Sequence, residues 1–410
     1  MKLNKVLWLK ISILNLLFVA LLGLLMRYKI AFEFPYFNQK NLQNSHSHFA
    51  FAGWISHTLM VLMIIFLERK IKNNDFLSFK KYNSLLIINL ICCYGMLISF
   101  IFTGYGLLSI FFSTVTIIIA CVFTYFYSKD LKLVSSEELA KNWFIAALFF
   151  NILSSFGTFA LAYMMFTKTM QQEEYLASIY FYLHFQYNGW FFFACMGLLL
   201  TFLNLKISDS PYLTKIFWLS FASCLPAYFL STLWLKLPLW VYVLTVLAAL
   251  VQTFAWFKFL LIASKHTSNT SITYPKFLRY IFYFVALAIS LKFMLQLGST
   301  IPALSQLAFG FRPIVIAYLH LVLLAGFSLF LLFYMYANRF LNTNKGIGLG
   351  LTVFAAGVLI NELVLAIQGI AYFSYTLIPF VNEVLFGVAL ILVTGILITV
   401  FYSLQKVNKQ

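Results

Sequence analysis

Twelve runs of about 20 mainly apolar residues follow one another along the 410-residue chain. They begin near Val6, His48, Asn83, Gly106, Trp143, Ser178, Thr214, Leu237, Phe277, Pro313, Gly348 and Phe380. An α-helix rises 1.5 Å per residue, so a run of that length crosses the hydrocarbon core of a bilayer, about 30 Å thick. The runs predict an all-α protein with twelve transmembrane helices, short loops and a single polytopic membrane domain over 1–410. The charged share is only 10%, against roughly 25% in soluble domains, and this excludes a soluble fold. The N-terminal MKLNK and its apolar run have the outline of a secretory signal, but no small-residue cleavage site follows before Arg27. The reading is a retained first span.

A net charge of +17 suggests a nucleic-acid partner until the basic residues are placed. They sit in short loops between apolar runs, not along one face or tail, so no nucleic acid is expected and lipid is the partner. Of the 28 basic residues, 21 fall on one side of the twelve-span map, 6 on the other and Lys292 within a span. The positive-inside rule then puts both termini in the cytoplasm. Lys-rich, Arg-poor usage with abundant Phe, Ile and Asn points to a bacterial inner membrane. On that map the Asn269-Thr270-Ser271 sequon is cytoplasmic and without meaning as a glycan acceptor. The five cysteines, Cys92, Cys93, Cys121, Cys195 and Cys224, lie in apolar runs without a CxxC, which reads as packing.

Three histidines are spaced alike: "HFAFAGW" at His48, "HFQYNGW" at His184 and "HLVLLAGF" at His320, in the second, sixth and tenth runs. Each is 136 residues from the next, which predicts three pseudo-repeats of four helices, about 1–137, 138–273 and 274–410. A lone histidine on a buried helix is more often a hydrogen-bonded core residue than a ligand. Three at one period favour ligation, because ionisable groups in lipid usually face the bundle interior or a cofactor, and neutral imidazole is a common metal and haem ligand. His184 and His320 lie inside their runs whereas His48 heads its own, so the repeat requires the second helix to begin earlier, near Asn41. The Gly and Trp or Phe that follow would let either a macrocycle or a neighbouring helix come close. At 100° per residue His57 points away from His48 but shares a face with His46. One helix therefore cannot aim all three imidazoles at one metal. His46 could face water or haem propionates, and His57 could be a polar core contact or a ligand at a second site.

Twelve helices in three repeats, both termini inside, with histidines near the outer ends of helices 2 and 10, resemble subunit I of the haem-copper oxidase superfamily. The resemblance covers the architecture of nearly the whole chain and few sequence motifs. It implies that His48 and His320 are axial ligands of a b-type haem, with His46 and Tyr318 beside it, and that His184 holds a metal, copper in that family. It also implies respiratory partners such as cytochrome-bearing subunits. The departures are specific. "YLH" puts Tyr318 where the helix-10 HxH has its first histidine, helix 7 reads "WLSFASCLPAYF" without the HH pair, and "YFSYTLIPFVNE" lacks the basic pair. A complete copper site and reduction of oxygen to water are therefore not expected. The early "HSHF" also resembles the "HxHE" of the NnrS-type membrane proteins of the nitric oxide response, with Phe49 in place of Glu.

Further polar residues fall within or at the edges of spans: Asn151, Gln252, Lys292, Asn361, Glu362, Gln368 and Glu383. Lys292 and Glu362 are the plainly intramembrane opposite charges, read as an ion pair or as parts of a proton path. Around His184, a pocket of Gln186, Tyr187, Asn188 and Tyr318 could bind a small molecule, with Cys224 and Tyr228 as further candidates. The leading expectation is a haem-binding membrane protein of respiratory electron transfer or nitric oxide metabolism. A transporter fits the same repeats and midplane polar groups, although broken helices are sparse in the sequence pattern. A non-catalytic assembly or structural protein is the third reading.

Overall fold

The structure, a computed structural model, describes residues 4–71, 79–206, 210–268, 275–341 and 344–405. The sequon at Asn269 and the basic residues Lys2, Lys72, Lys406 and Lys409 lie outside the described residues. Among the described residues there is no strand, and eleven helices are long and apolar enough to cross a membrane. They are α1 (Lys5–Ala31), α2 (Gln39–Lys70), α3 (Phe79–Thr103), α4 (Leu107–Leu131), α5 (Ala140–Thr167), α6 (Gln172–Leu203), α8 (Leu239–His266), α9 (Lys276–Gly298), α10 (Pro313–Ala337), α11 (Lys345–Tyr372) and α12 (Val381–Leu404). A bent pair, Tyr212–Cys224 and Pro226–Thr232, turns through 45° and makes α7, the twelfth. Helices are the form that satisfies every backbone group without water, as lipid demands. The chain is a multi-pass helical membrane protein.

α2 begins at Gln39, earlier than its apolar run, as a histidine in register with the other two requires. Asn38 caps it by accepting from the N–H groups of Lys40 and Asn41. α7 breaks at Pro226, which has no N–H to continue the ladder. A broken span here departs from the sequence pattern, in which one proline in an apolar run is a weak signal.

The chain divides into two compact units. Unit 1 is Met1–Asp130, Tyr274–Tyr283 and Phe327–Gln410; unit 2 is Leu131–Thr273 and Phe284–Gly326. The first two expected repeats fall almost whole into one unit each, and the third is divided between them.

In unit 1, ends of adjacent helices are tied by charge: Lys5 of α1 pairs with Glu68 of α2 at 2.7 Å, and Lys81 of α3 with Asp130 of α4 at 2.7 Å. α11 and α12 pack through small residues. A Cβ on Gly350 would lie 2.8 Å from the carbonyl oxygen of Gly395, and one on Gly395 2.8 Å from Cα of Phe354. That is the close backbone approach small residues allow where no hydrophobic effect drives helices together. In unit 2 the core is aromatic, with Trp143, Phe150, Phe193 and Phe217 buried around α5, α6 and α7.

Candidate functional site

The three evenly spaced histidines share a backbone feature that their spacing alone does not reveal. Each is the last residue of an α-helical stretch and is followed by a π-helical segment: Phe49–Ser56 after His48, Phe185–Phe191 after His184 and Leu321–Ser328 after His320. π-Helix is rare, usually one turn, and frequent at functional sites. In a π turn the N–H reaches back five residues, as that of His57 does to Ala52, and carbonyls lose their ordinary partner.

Side chains from neighbouring helices take up those carbonyls. In unit 1 the Asn15 amide of α1 donates to the Gly53 carbonyl at 2.6 Å, and Tyr94 of α3 donates to the Asn15 oxygen at 2.9 Å. In unit 2 Asn151 of α5 stands at the first turn of the π segment of α6, accepting from Gln186 Nε2 at 2.9 Å, while the Cys224 thiol faces the Asn188 carbonyl at 3.6 Å. Asn15 and Asn151 are themselves 136 residues apart. Sequence reasoning noted Asn151 and passed over Asn15; applying the histidine period to every polar residue in a span would have found the pair.

The glycines resolve between the two expectations for them. A Cβ on Gly53 would lie 2.7 Å from the Phe49 ring, one on Gly189 would strike Phe150 of α5, and one on Gly326 would lie 2.8 Å from Ile289 of α9. Protein side chains fill these faces, so the glycines serve packing.

The histidines differ in what surrounds them. His184 is fully buried and both ring nitrogens are engaged: Nε2–H donates to the Cys224 carbonyl at 2.9 Å, and Nδ1 accepts from the Asn188 amide at 3.0 Å. The break in α7 creates the first of these contacts, because Tyr228 N–H turns to Leu225 at 3.3 Å instead of closing an α-turn on Cys224. His184, Asn188 and Cys224 thus form a closed loop of hydrogen bonds between α6 and α7. Metal coordination at His184 would have to displace one of these bonds.

His48 is half-buried in unit 1, stacked on Phe100 at 4.4 Å, with Nε2 bonded to the Tyr105 hydroxyl at 3.0 Å. His320 is half-buried in unit 2 and donates from Nδ1 to the Ile316 carbonyl at 2.8 Å. A backbone carbonyl on the far nitrogen is the usual way a ligating imidazole is oriented. His46 donates from Nδ1 to the Val19 carbonyl of α1 at 3.0 Å, and His57 accepts from Asn89 at 3.2 Å with its ring 5.5 Å from that of Trp8 of α1. Both therefore face α1, even though the π turn lies between them. His57 Nε2 is buried without a partner.

The other expected residues have contacts of their own. Gln186 turns to Asn151 and Ser154 of α5, and Tyr228 donates to the Ala177 carbonyl at 3.0 Å. Tyr318 lies edge-on to Tyr187, ring centroids 6.3 Å apart, with its hydroxyl buried. Glu362 belongs to unit 1, where it accepts from Asn361 at 3.1 Å, and Lys292 belongs to unit 2. All five cysteines are free, and Cys121 alone among them is exposed. Among the described residues no three His, Cys, Asp or Glu side chains converge as a metal-ligating group. The chain matches no family model and no curated protein sequence.

Proposed function

We propose that this chain is a haem-binding membrane protein of the haem-copper oxidase subunit I type, built from three four-helix repeats. Its place would be the bacterial inner membrane with both termini cytoplasmic, in respiratory electron transfer or the nitric oxide response. One observation carries the reading: at intervals of 136 residues an imidazole closes an α-helical stretch and a π-helical segment begins.

The fit to haem is uneven among the three. His48 and His320 are half-buried, and each is held by a neighbour that orients the ring: the Phe100 stack for His48 and the Ile316 carbonyl for His320. Each of the two is proposed as an imidazole ligand of haem. His184 has both nitrogens committed to α6 and α7, so copper is left out of the proposal. A bound b-type haem would supply one-electron transfer; the protein residues would supply the imidazoles and orient their rings.

A transporter is the second reading, favoured by the broken helix α7 and the buried Lys292, since discontinuous helices and intramembrane charges mark substrate paths. A reduced-minus-oxidised visible spectrum of the detergent-purified protein, expressed with ample haem supply, separates them. A b-type spectrum is expected. A colourless, monodisperse protein would contradict the haem reading and leave the transporter.

A further inference from the structure

Lys292 of α9 is 1% exposed inside a span and makes no ion pair among the described residues. Its ammonium lies 3.8 Å from the centroid of the Phe293 ring and 5.4 Å from that of Phe192. Ring faces attract a cation but do not satisfy three N–H donors. Lys292 lines a cavity of about 10 Å³ in unit 2, whose other polar walls are Asn188 of α6, Ser220 of α7 and Gln252 of α8. Asn188 is 2% exposed and Gln252 7%, and in each the side-chain oxygen has no hydrogen-bond partner. The Asn188 amide cannot simply turn over, because its NH₂ is committed to His184. Among the described residues the titratable groups that interact electrostatically with Lys292 are His184 and Cys224, and neither supplies a carboxylate.

A donor in need of an acceptor and two oxygens in need of donors thus surround one small space. An anion would suit the ammonium but meet the lone pairs of both amides. A metal cation would suit the oxygens but meet the ammonium. Water offers one oxygen to accept and two hydrogens to donate, and the cavity is at the lower edge of the roughly 10–15 Å³ one water needs.

We propose that this cavity binds a single water, accepting from Lys292 Nζ and donating to Asn188 Oδ1 and Gln252 Oε1. The site is thus a hydrated lysine side chain without a carboxylate partner inside the span region of unit 2. This is independent of the haem reading. Thermal unfolding of the full chain in detergent tests the coupling. Gln252→Leu removes one acceptor and should lower Tm by a few degrees in the parent, and by much less once Lys292→Met has removed the donor. An equal loss in both backgrounds overturns the proposal. A density map that resolves ordered water needs no substitution. One peak within about 3.2 Å of Nζ and of both amide oxygens is expected. An ammonium seated directly on either amide oxygen, or density for a larger group, overturns it.

Discussion

A histidine in a membrane helix has two nitrogens to satisfy, and how each is satisfied separates a scaffold residue from a ligand. His184 closes a loop with Asn188 and Cys224, so His184→Ala would strand a carbonyl and an amide in the buried core. At about 1–3 kcal/mol for each buried orphan, the expected loss is about 2–6 kcal/mol, measurable as a drop in Tm of the purified protein. Unchanged stability would show that the loop is not structural. Gly189→Ala pushes a methyl group into Phe150, which is itself fully buried. Overpacking of that kind costs about 1–3 kcal/mol, and a denaturation curve would show it. The sequence made the imidazoles legible through their period and their cost in lipid. It could not show that His184 would be used up, because Cys224 offers its carbonyl only through the break at Pro226, forty residues away.

At the scale of the element, the π segments do what no residue type announces. A π turn and an α turn have the same composition, so the apolar runs placed the helices without revealing where their register changes. The consequence is nevertheless testable. Deleting Ala52 from the segment Phe49–Ser56 would restore α-helical pitch and rotate His48 by about 100° against the buried half of α2. The expected product elutes as a folded protein with its haem lost; a variant with full haem would show that the π turn does not aim the imidazole. The α11–α12 seam makes a separate point. Gly350 and Gly395 read in sequence as ordinary glycines of apolar runs, and only the packed pair shows that backbone meets backbone there. Gly350→Leu should abolish the monodisperse peak on size exclusion, whereas Gly387→Leu should not, since Gly387 has no neighbour where a Cβ would stand.

The whole molecule follows from hydropathy more directly than its sites do. Twelve apolar runs became eleven continuous spans and one broken one, and α2 began near the residue that the repeat demanded. The division into two units was not legible, because the third repeat is split within α9 and α10, at positions no loop or charge marks. If the 21-to-6 charge asymmetry sets orientation, reporter fusions at Lys5 and Leu404 should both report the cytoplasm; opposite sides would mean an odd number of crossings. The central claim is that three equivalent imidazoles have divided their roles, two to a haem and one to the scaffold. Haem per folded chain, measured by pyridine haemochrome in the single variants His48→Ala, His320→Ala and His184→Ala, tests it most directly. The first two should lose haem and the third, at lower yield, should keep it. Full haem in both His48→Ala and His320→Ala, or its loss in His184→Ala alone, would contradict it.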